Sequence, residues 1–204
     1  MTDRVPVPVT AAIDEGDAAR AEIYRLLGGV LAAPADRDML DLLLDIDTRQ
    51  SGTTPMTIVW QSLQAAAREA DADQLNEEYF NLFIGLGRGE LVPYASFYLH
   101  GFLMEKVLAS LRKELTALGF ERQEGISEPE DHVAALCETM GMIISESRLS
   151  FEEQAAFFRT YIASWMGEFY ADLLTARSAG FYRAVAQLGQ QFLEIESQYL
   201  TMKT

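Results

Sequence analysis

The sequence predicts an all-α protein, a helical bundle of about eight helices. Apolar residues recur at the helical spacing of three and four along most of the 204 residues. Residue patterns typical of helix starts precede several of these segments, and no run of alternating apolar and polar residues indicates a strand. Hydrophobic residues make up 49% and charged residues 23% of the chain, which is typical of one folded domain.

Four helices are predicted before the middle of the chain. Residues 1–16 carry prolines and acids without a helical period, so we expect a loose N-terminal arm there. The first helix runs from Asp17 to Pro34, because proline cannot continue a helix. Asp71 with Gln74 is similar to a capping box and begins the fourth helix. The second, third and fourth helices are predicted at 36–46, 54–69 and 71–83.

A glycine loop separates these helices from a longer one. Gly85, Gly87 and Gly89 alternate along the loop, and glycine is the residue that tolerates turn conformations best. The fifth helix is predicted from Pro93 to about Leu118, with Gly119 after its last turn.

A polar linker at 120–127 divides the single domain, residues 17–204, into two helical groups, 17–119 and 128–202. Ser127 with Glu130 is a predicted capping box for the sixth helix, and Ser150 with Glu153 is one for the seventh. A break at 178–180 precedes the last helix. The linker has few apolar anchors, so we expect helices to exchange between subunits and give some homodimer beside the monomer.

Charge and composition restrict the class of partner. The formal net charge is −15, which disfavours nucleic acid and favours a cationic partner, although acidity also serves solubility alone. The single cysteine excludes an intramolecular disulfide. No apolar stretch approaches the roughly 20 residues of a membrane span, and the start lacks the features of a secretory signal. We therefore expect a cytoplasmic protein.

The sequence offers no catalytic residues, no metal site and no cofactor-binding motif. The only histidines, His100 and His132, have Phe97 and Pro129 three residues earlier, where a di-iron bundle needs glutamate. One cysteine and two separated histidines rarely form a zinc site. The glycine loop lacks the spacing of a dinucleotide fingerprint, and no nucleophile elbow occurs. The patterns indicate a binding protein.

The segment from Glu78 to Tyr98 is the first candidate for binding. Its aromatic residues flank the glycine loop, and Pro93 leads the chain into a helix. An aromatic groove beside a loop suits an apolar peptide helix. Aromatic core packing with a tight turn is the alternative at this point.

The segment from Ser127 to Val133 is the second candidate. Its carboxylates can be explained as helix-start residues, which the helix dipole favours. An Asp131–His132 pair at a helix start is alternatively a good acceptor for an incoming arginine. His132 is equally consistent with a core or surface histidine.

Three motifs follow one another along the chain: Tyr79-Phe-Asn-Leu82-Phe83, Pro93-Tyr-Ala-Ser96-Phe-Tyr98 and Pro129-Glu-Asp131-His132. In this order they resemble the TorD-like family of molybdoenzyme chaperones, which includes the DmsD and NarJ groups. Trp165, Phe169 and Phe181-Tyr182 also look like the last helix pair of that family. The resemblance covers roughly residues 20–200.

This resemblance implies a cytoplasmic, non-enzymatic chaperone. Its partner would be the twin-arginine signal peptide, or the apo form, of a molybdenum-cofactor oxidoreductase precursor of the TMAO/DMSO reductase or formate dehydrogenase type. It would assist cofactor insertion and delay export. A self-assembling helical scaffold without such a client is the alternative. The peptide-binding residues that the resemblance implies are Tyr94, Ser96, Tyr98, Glu128, Pro129, Asp131 and His132.

Overall fold

The computed structural model describes residues 14–48, 52–101, 105–120 and 128–202. Within these ranges the chain forms ten α-helices, two π-helical segments and no strand longer than one isolated β-bridge, which confirms the all-α prediction. The elements are α1 Glu15–Ala32, α2 Arg37–Asp45, α3 Pro55–Glu69, α4 Ala72–Tyr79, π1 Phe80–Ile84, α5 Ala95–His100, α6 Glu105–Ala117, α7 Val133–Ser145, α8 Phe151–Phe157, π2 Phe158–Ala163, α9 Met166–Thr175 and α10 Phe181–Met202.

The first four helices begin close to their predicted starts because polar side chains cap them. The Asp14 carboxylate accepts a hydrogen bond from the Asp17 backbone N–H at 2.8 Å, so α1 starts at Glu15, just before its predicted start at Asp17. Residues 1–13 of the predicted N-terminal arm lie outside the described residues. Asp36, Thr54 and Asp71 cap α2, α3 and α4 in the same way.

The single long helix predicted from Pro93 to Leu118 is wrong. α5 ends at His100, because Gly101 takes a left-handed conformation with φ of 78° and donates to the Phe97 carbonyl at 2.6 Å. The next described helix, α6, begins at Glu105. Gly119 follows this helix with φ of 76°, as predicted for its end.

α7 starts later than predicted. His132 is its N-cap, so the predicted capping box of Ser127 and Glu130 does not begin the helix. Glu130 instead accepts a hydrogen bond from Arg112 on α6 at 2.9 Å. Ser127 and the rest of the linker from 121 lie outside the described residues, so helix exchange at 120–127 stays a prediction.

The seventh predicted helix is present as three consecutive pieces. Ser150 and Glu153 form the predicted capping box at the start of α8. π2 follows α8 directly, and Trp165, with φ of −149°, separates it from α9. Wider π turns inside helices occur often at functional sites. The interruption between α8 and α9 and the break at Gly101 each divide one predicted helix into two. The described residues therefore form ten α-helices, where about eight were predicted.

Two packing arrangements form the core. α10 contacts α1, α3, α4, α8 and α9, so it runs through the middle of the bundle. α1 packs antiparallel on α7, where glycines allow the backbones to approach closely: a Cβ at Gly28 would lie 3.3 Å from the Ala134 carbonyl oxygen. A buried ion pair joins α1 to α10, with Arg20 donating to Glu196 at 2.7 Å.

Candidate functional site

A short β-bridge brings the two candidate segments together. The Ala95 N–H donates to the Asp131 carbonyl at 3.0 Å, and the Val133 N–H donates to the Pro93 carbonyl at 2.9 Å. Tyr94 and His132 therefore lie opposite each other as an antiparallel bridge. The bridge holds the start of α5 beside the start of α7, so the predicted site residues form one local cluster.

Asp131 is an internal cap rather than a surface acceptor. Its carboxylate accepts a hydrogen bond from the Ser96 backbone N–H at 3.0 Å, and each residue is only 2% exposed. The first turn of α5 has unpaired N–H groups, and this carboxylate satisfies one of them. Because Asp131 is buried here, contact between its carboxylate and an incoming arginine stays a prediction.

His132 is buried and serves as the cap of α7. Its Nδ1 accepts from the Ala134 N–H at 3.2 Å, so in the neutral ring the proton is on Nε2. Burial lowers the pKa of His132, although the charges of Glu128 and Asp131 act in the opposite direction. The ring packs edge-on against Tyr94 at 5.0 Å between centroids.

Tyr94 and Glu128 form the accessible part of the cluster. The Tyr94 hydroxyl donates to the exposed Glu128 carboxylate. Burial raises the pKa of Tyr94, and this hydrogen bond raises it further. Pro129 follows Glu128 in the sequence and is half-buried. Its carbonyl accepts a hydrogen bond from the His132 N–H at 3.1 Å, which closes a tight turn.

Tyr98 extends the cluster one turn along α5. Its hydroxyl donates to Asp172 on α9 at 3.1 Å, and its ring lies 5.5 Å from Trp165 and 6.0 Å from Phe169 between centroids. Burial is the largest cause that raises the pKa of Tyr98. The negative charge of Asp172 raises this pKa further, and that of Glu168 does so more weakly. Tyr98 therefore lies between an aromatic floor and an acidic edge.

An apolar groove of about 320 Å³ opens beside α5, next to this cluster. It lies between α5, α6 and π2 and is lined in part by Leu99, Val107 and Tyr161. Leu99 is exposed although it is large and apolar. The cluster thus has exposed carboxylates on one edge and an apolar groove next to it.

Two glutamates that sequence reasoning missed fasten the glycine loop to the rest of the fold. Glu78 accepts hydrogen bonds from the Gly180 and Tyr182 N–H groups, both at 2.8 Å, and so caps α10 from a distance. Glu90 accepts from the Arg177 N–H at 2.9 Å and from Ser178. Glu78 lies near the end of α4 and Glu90 lies in the loop before α5, so neither is at a helix start and the sequence carries no local signal for these contacts.

The described residues contain no cluster of three or more histidine, cysteine or acidic side chains that could hold a metal ion. Cys137 is buried, and burial raises its pKa to about 12. In the same part of the chain, no helix combines the length and hydropathy needed to cross a bilayer. The fold is an all-helical bundle in which the two candidate segments form one cluster.

Comparison with known proteins specifies the class. Residues 50–171 match the family described as nitrate reductase delta subunit. The chain is 30% identical to the chaperone protein TorD of Vibrio parahaemolyticus and 26% identical to that of Aliivibrio fischeri, in each case over 89% of this chain and 94% of the relative. The chain belongs to this family, whose similar members are named as chaperones and not as enzymes.

The fold also has a counterpart of known structure. A protein described as a redox enzyme maturation protein from Archaeoglobus fulgidus superposes with a TM-score of 0.60 at 19% identity. The match covers 92% of this chain and 99% of the other. At that identity the likeness bears on the fold alone, and it agrees with the helical architecture described above.

Proposed function

We propose that this chain is a cytoplasmic chaperone that binds the twin-arginine signal peptide of a molybdenum-cofactor oxidoreductase precursor. Binding would hold the apoenzyme during cofactor insertion and delay its export. Membership of the family and the chaperone names of its relatives support the general role. The signal peptide as ligand rests on the arrangement around Tyr94.

One observation carries the proposal: exposed carboxylates border an aromatic cluster that continues into an apolar groove. Glu128 and Asp172 are exposed, and each already accepts a tyrosine hydroxyl that fixes its position. A carboxylate accepts several hydrogen bonds, so either oxygen pair can also receive an arginine guanidinium. The groove beside Leu99 would take the apolar stretch that follows the arginines.

The predicted site residues divide into two groups under this proposal. Tyr94, Tyr98 and Glu128 contact the peptide, because they reach the surface. Ser96, Pro129, Asp131 and His132 position those three through the bridge and the two helix caps.

Calorimetric titration with a synthetic peptide of two arginines followed by an apolar stretch tests the proposal. The double variant Glu128→Gln, Asp172→Asn removes both charges and keeps both acceptors for the tyrosine hydroxyls. Exposed ion pairs contribute roughly 0.2–1 kcal/mol each, so at low salt we expect about fivefold to tenfold weaker binding.

The matched control is Glu69→Gln, Asp73→Asn, which changes the net charge equally at exposed positions on α3 and α4. It should bind within about twofold of the unmodified chain, since those charges lie on other helices. Equal loss in both double variants would assign the effect to net charge and contradict the proposal. Absence of binding to the unmodified chain would contradict it outright.

A further inference from the structure

An apolar groove of about 410 Å³ lies between α1, α2 and α3, away from the bridge that joins α5 to α7. Its size falls within the range of roughly 300–1,000 Å³ found for ligand pockets. The apolar residues that line it come from all three helices. They are Ile23, Leu26, Met39, Leu42, Ile46 and Trp60.

α2 leaves one large apolar side chain, Leu42, outside the core. Leu40 and Leu43 form one stripe, and both are buried. Met39 and Leu42, with Ile46 just after the end of the helix, form a second stripe that lines the groove, and Met39 and Ile46 also pack against the core. Leu42 is 54% exposed although it lies in the middle of a nine-residue helix. At the rim of an apolar groove, an exposed leucine is a suitable contact for an apolar side chain of another molecule.

Acidic residues follow the same helix on the solvent side of the groove. Asp38, Asp41 and Asp45 recur at a helical spacing next to the second apolar stripe, and all three are exposed. The Arg37 guanidinium lies 3.6 Å from the Asp41 carboxylate and compensates one of the three negative charges. The edge of the groove formed by α2 therefore carries net negative charge.

The opposite edge, formed by α1, carries no excess of positive charge. Glu22 and Arg25 line the groove there and pair with each other at 2.9 Å. The two edges together are acidic, in a chain whose net charge is −15. An apolar floor between acidic edges is complementary to a helix that has an apolar face and basic flanks.

We propose that this groove is a second docking surface, which takes an amphipathic helix with basic residues from a partner protein. A second copy of this chain fits poorly, because a two-fold contact would bring the α2 aspartates of both copies together. Met39 and Trp60 give the floor a polarisable, adaptable surface that suits a helix side chain. The inference does not depend on the site at Tyr94.

Fluorescence anisotropy with a labelled 18-residue helix of leucine and lysine, leucine on one face, tests the inference. Leu42→Gln places a polar group of similar size in the groove at an exposed position. Ile195→Gln on α10 is the matched control, since Ile195 is 41% exposed and lies outside the groove. We expect at least tenfold weaker binding for Leu42→Gln and no more than a twofold change for Ile195→Gln.

Three other results would overturn the inference. The first is equal binding by both variants, with circular dichroism showing that each is folded. The second is binding of a leucine–glutamate helix as tight as that of the leucine–lysine helix. The third is a dimer in sedimentation that Leu42→Gln converts to monomer, which would assign the groove to a second copy.

The double variant Glu128→Gln, Asp172→Asn separates this inference from the proposed function. It should bind the leucine–lysine helix like the unmodified chain. If it weakens that binding as much as Leu42→Gln does, the helix occupies the site at Tyr94, and the inference fails while the proposed function stands.

Discussion

Replacing Asp131 with alanine tests whether this acid positions the site or binds the ligand. The substitution removes the carboxylate that accepts a hydrogen bond from the Ser96 N–H, in a place where both residues are 2% exposed. Leaving a buried donor unpaired costs about 1–3 kcal/mol, and loss of a helix cap costs about 0.5–2 kcal/mol by a similar mechanism. We expect the free energy of unfolding to fall by about 2 kcal/mol.

A loss of about 2 kcal/mol corresponds to about 4–8 °C in the melting temperature of a chain of this size. Asp131→Asn is the matched variant, because its amide oxygen can still accept from Ser96; its loss should stay below about 1 kcal/mol. Urea titration and thermal melts measure both, and calorimetry with the arginine peptide measures affinity. Unchanged stability in Asp131→Ala together with a tenfold loss of affinity would refute this reasoning and return Asp131 to the ligand-contacting group.

Three further substitutions or treatments test other parts of the structure. Gly189→Ala should destabilise by about 1–3 kcal/mol in urea, because its Cβ would lie 2.3 Å from the Tyr170 ring; Gly167→Ala, with nothing within 4 Å, should change stability little. Cys137 should resist thiol reagents at pH 8 until urea unfolds the chain, since burial raises its pKa to about 12; rapid labelling of the folded chain would contradict this. Burial lowers the pKa of His132, so between pH 6.5 and the lower pKa of the folded state the unfolded chain binds a proton that the folded chain does not. The free energy of unfolding should therefore decrease as the pH is lowered from 6.5, and should decrease less in His132→Asn. Equal pH dependence of the two proteins would contradict this role of His132.

The helices could be predicted from sequence wherever a local pattern decides the structure. Ser150 and Glu153 cap α8 as their spacing indicates. The same pattern failed at Ser127 and Glu130, because the β-bridge to Tyr94 holds His132 extended with ψ of 143°, and the helix cannot begin before it. A tertiary contact formed with a segment 38 residues earlier (132 minus 94) has no signature in the local sequence.

The break at Gly101 shows a similar limit. A lone glycine inside an apolar helical pattern is often tolerated, so the sequence favoured one helix through this position. In the structure Gly101 adopts the left-handed conformation and ends α5 after six residues. Within this short helix, Tyr98 lies beside Asp172 of α9. The predicted single long helix gave no indication of this contact.

The candidate site was predicted as a set of residues but not as an arrangement. The two motifs lie together at the bridge between Tyr94 and His132. Which of their polar groups face outward depends on burial, and burial follows from packing among α5, α7 and α9. Asp131 is therefore a buried cap of α5 in the structure, whereas Glu128 reaches the surface.

The exposed position of the site's charges determines how binding should respond to salt. Glu128 and Asp172 lie in solvent, where charges are screened over about 8 Å at 0.15 M ionic strength, and rim charges act mainly on the association rate. Raising NaCl from 50 to 500 mM should therefore slow association of the arginine peptide several-fold and change dissociation little. Leu99→Gln, which alters the adjacent groove, should instead speed dissociation at both salt concentrations. Stopped-flow fluorescence separates the two rates, and a salt effect confined to dissociation would mean that the arginines contact a buried carboxylate such as Asp131 rather than the exposed edge.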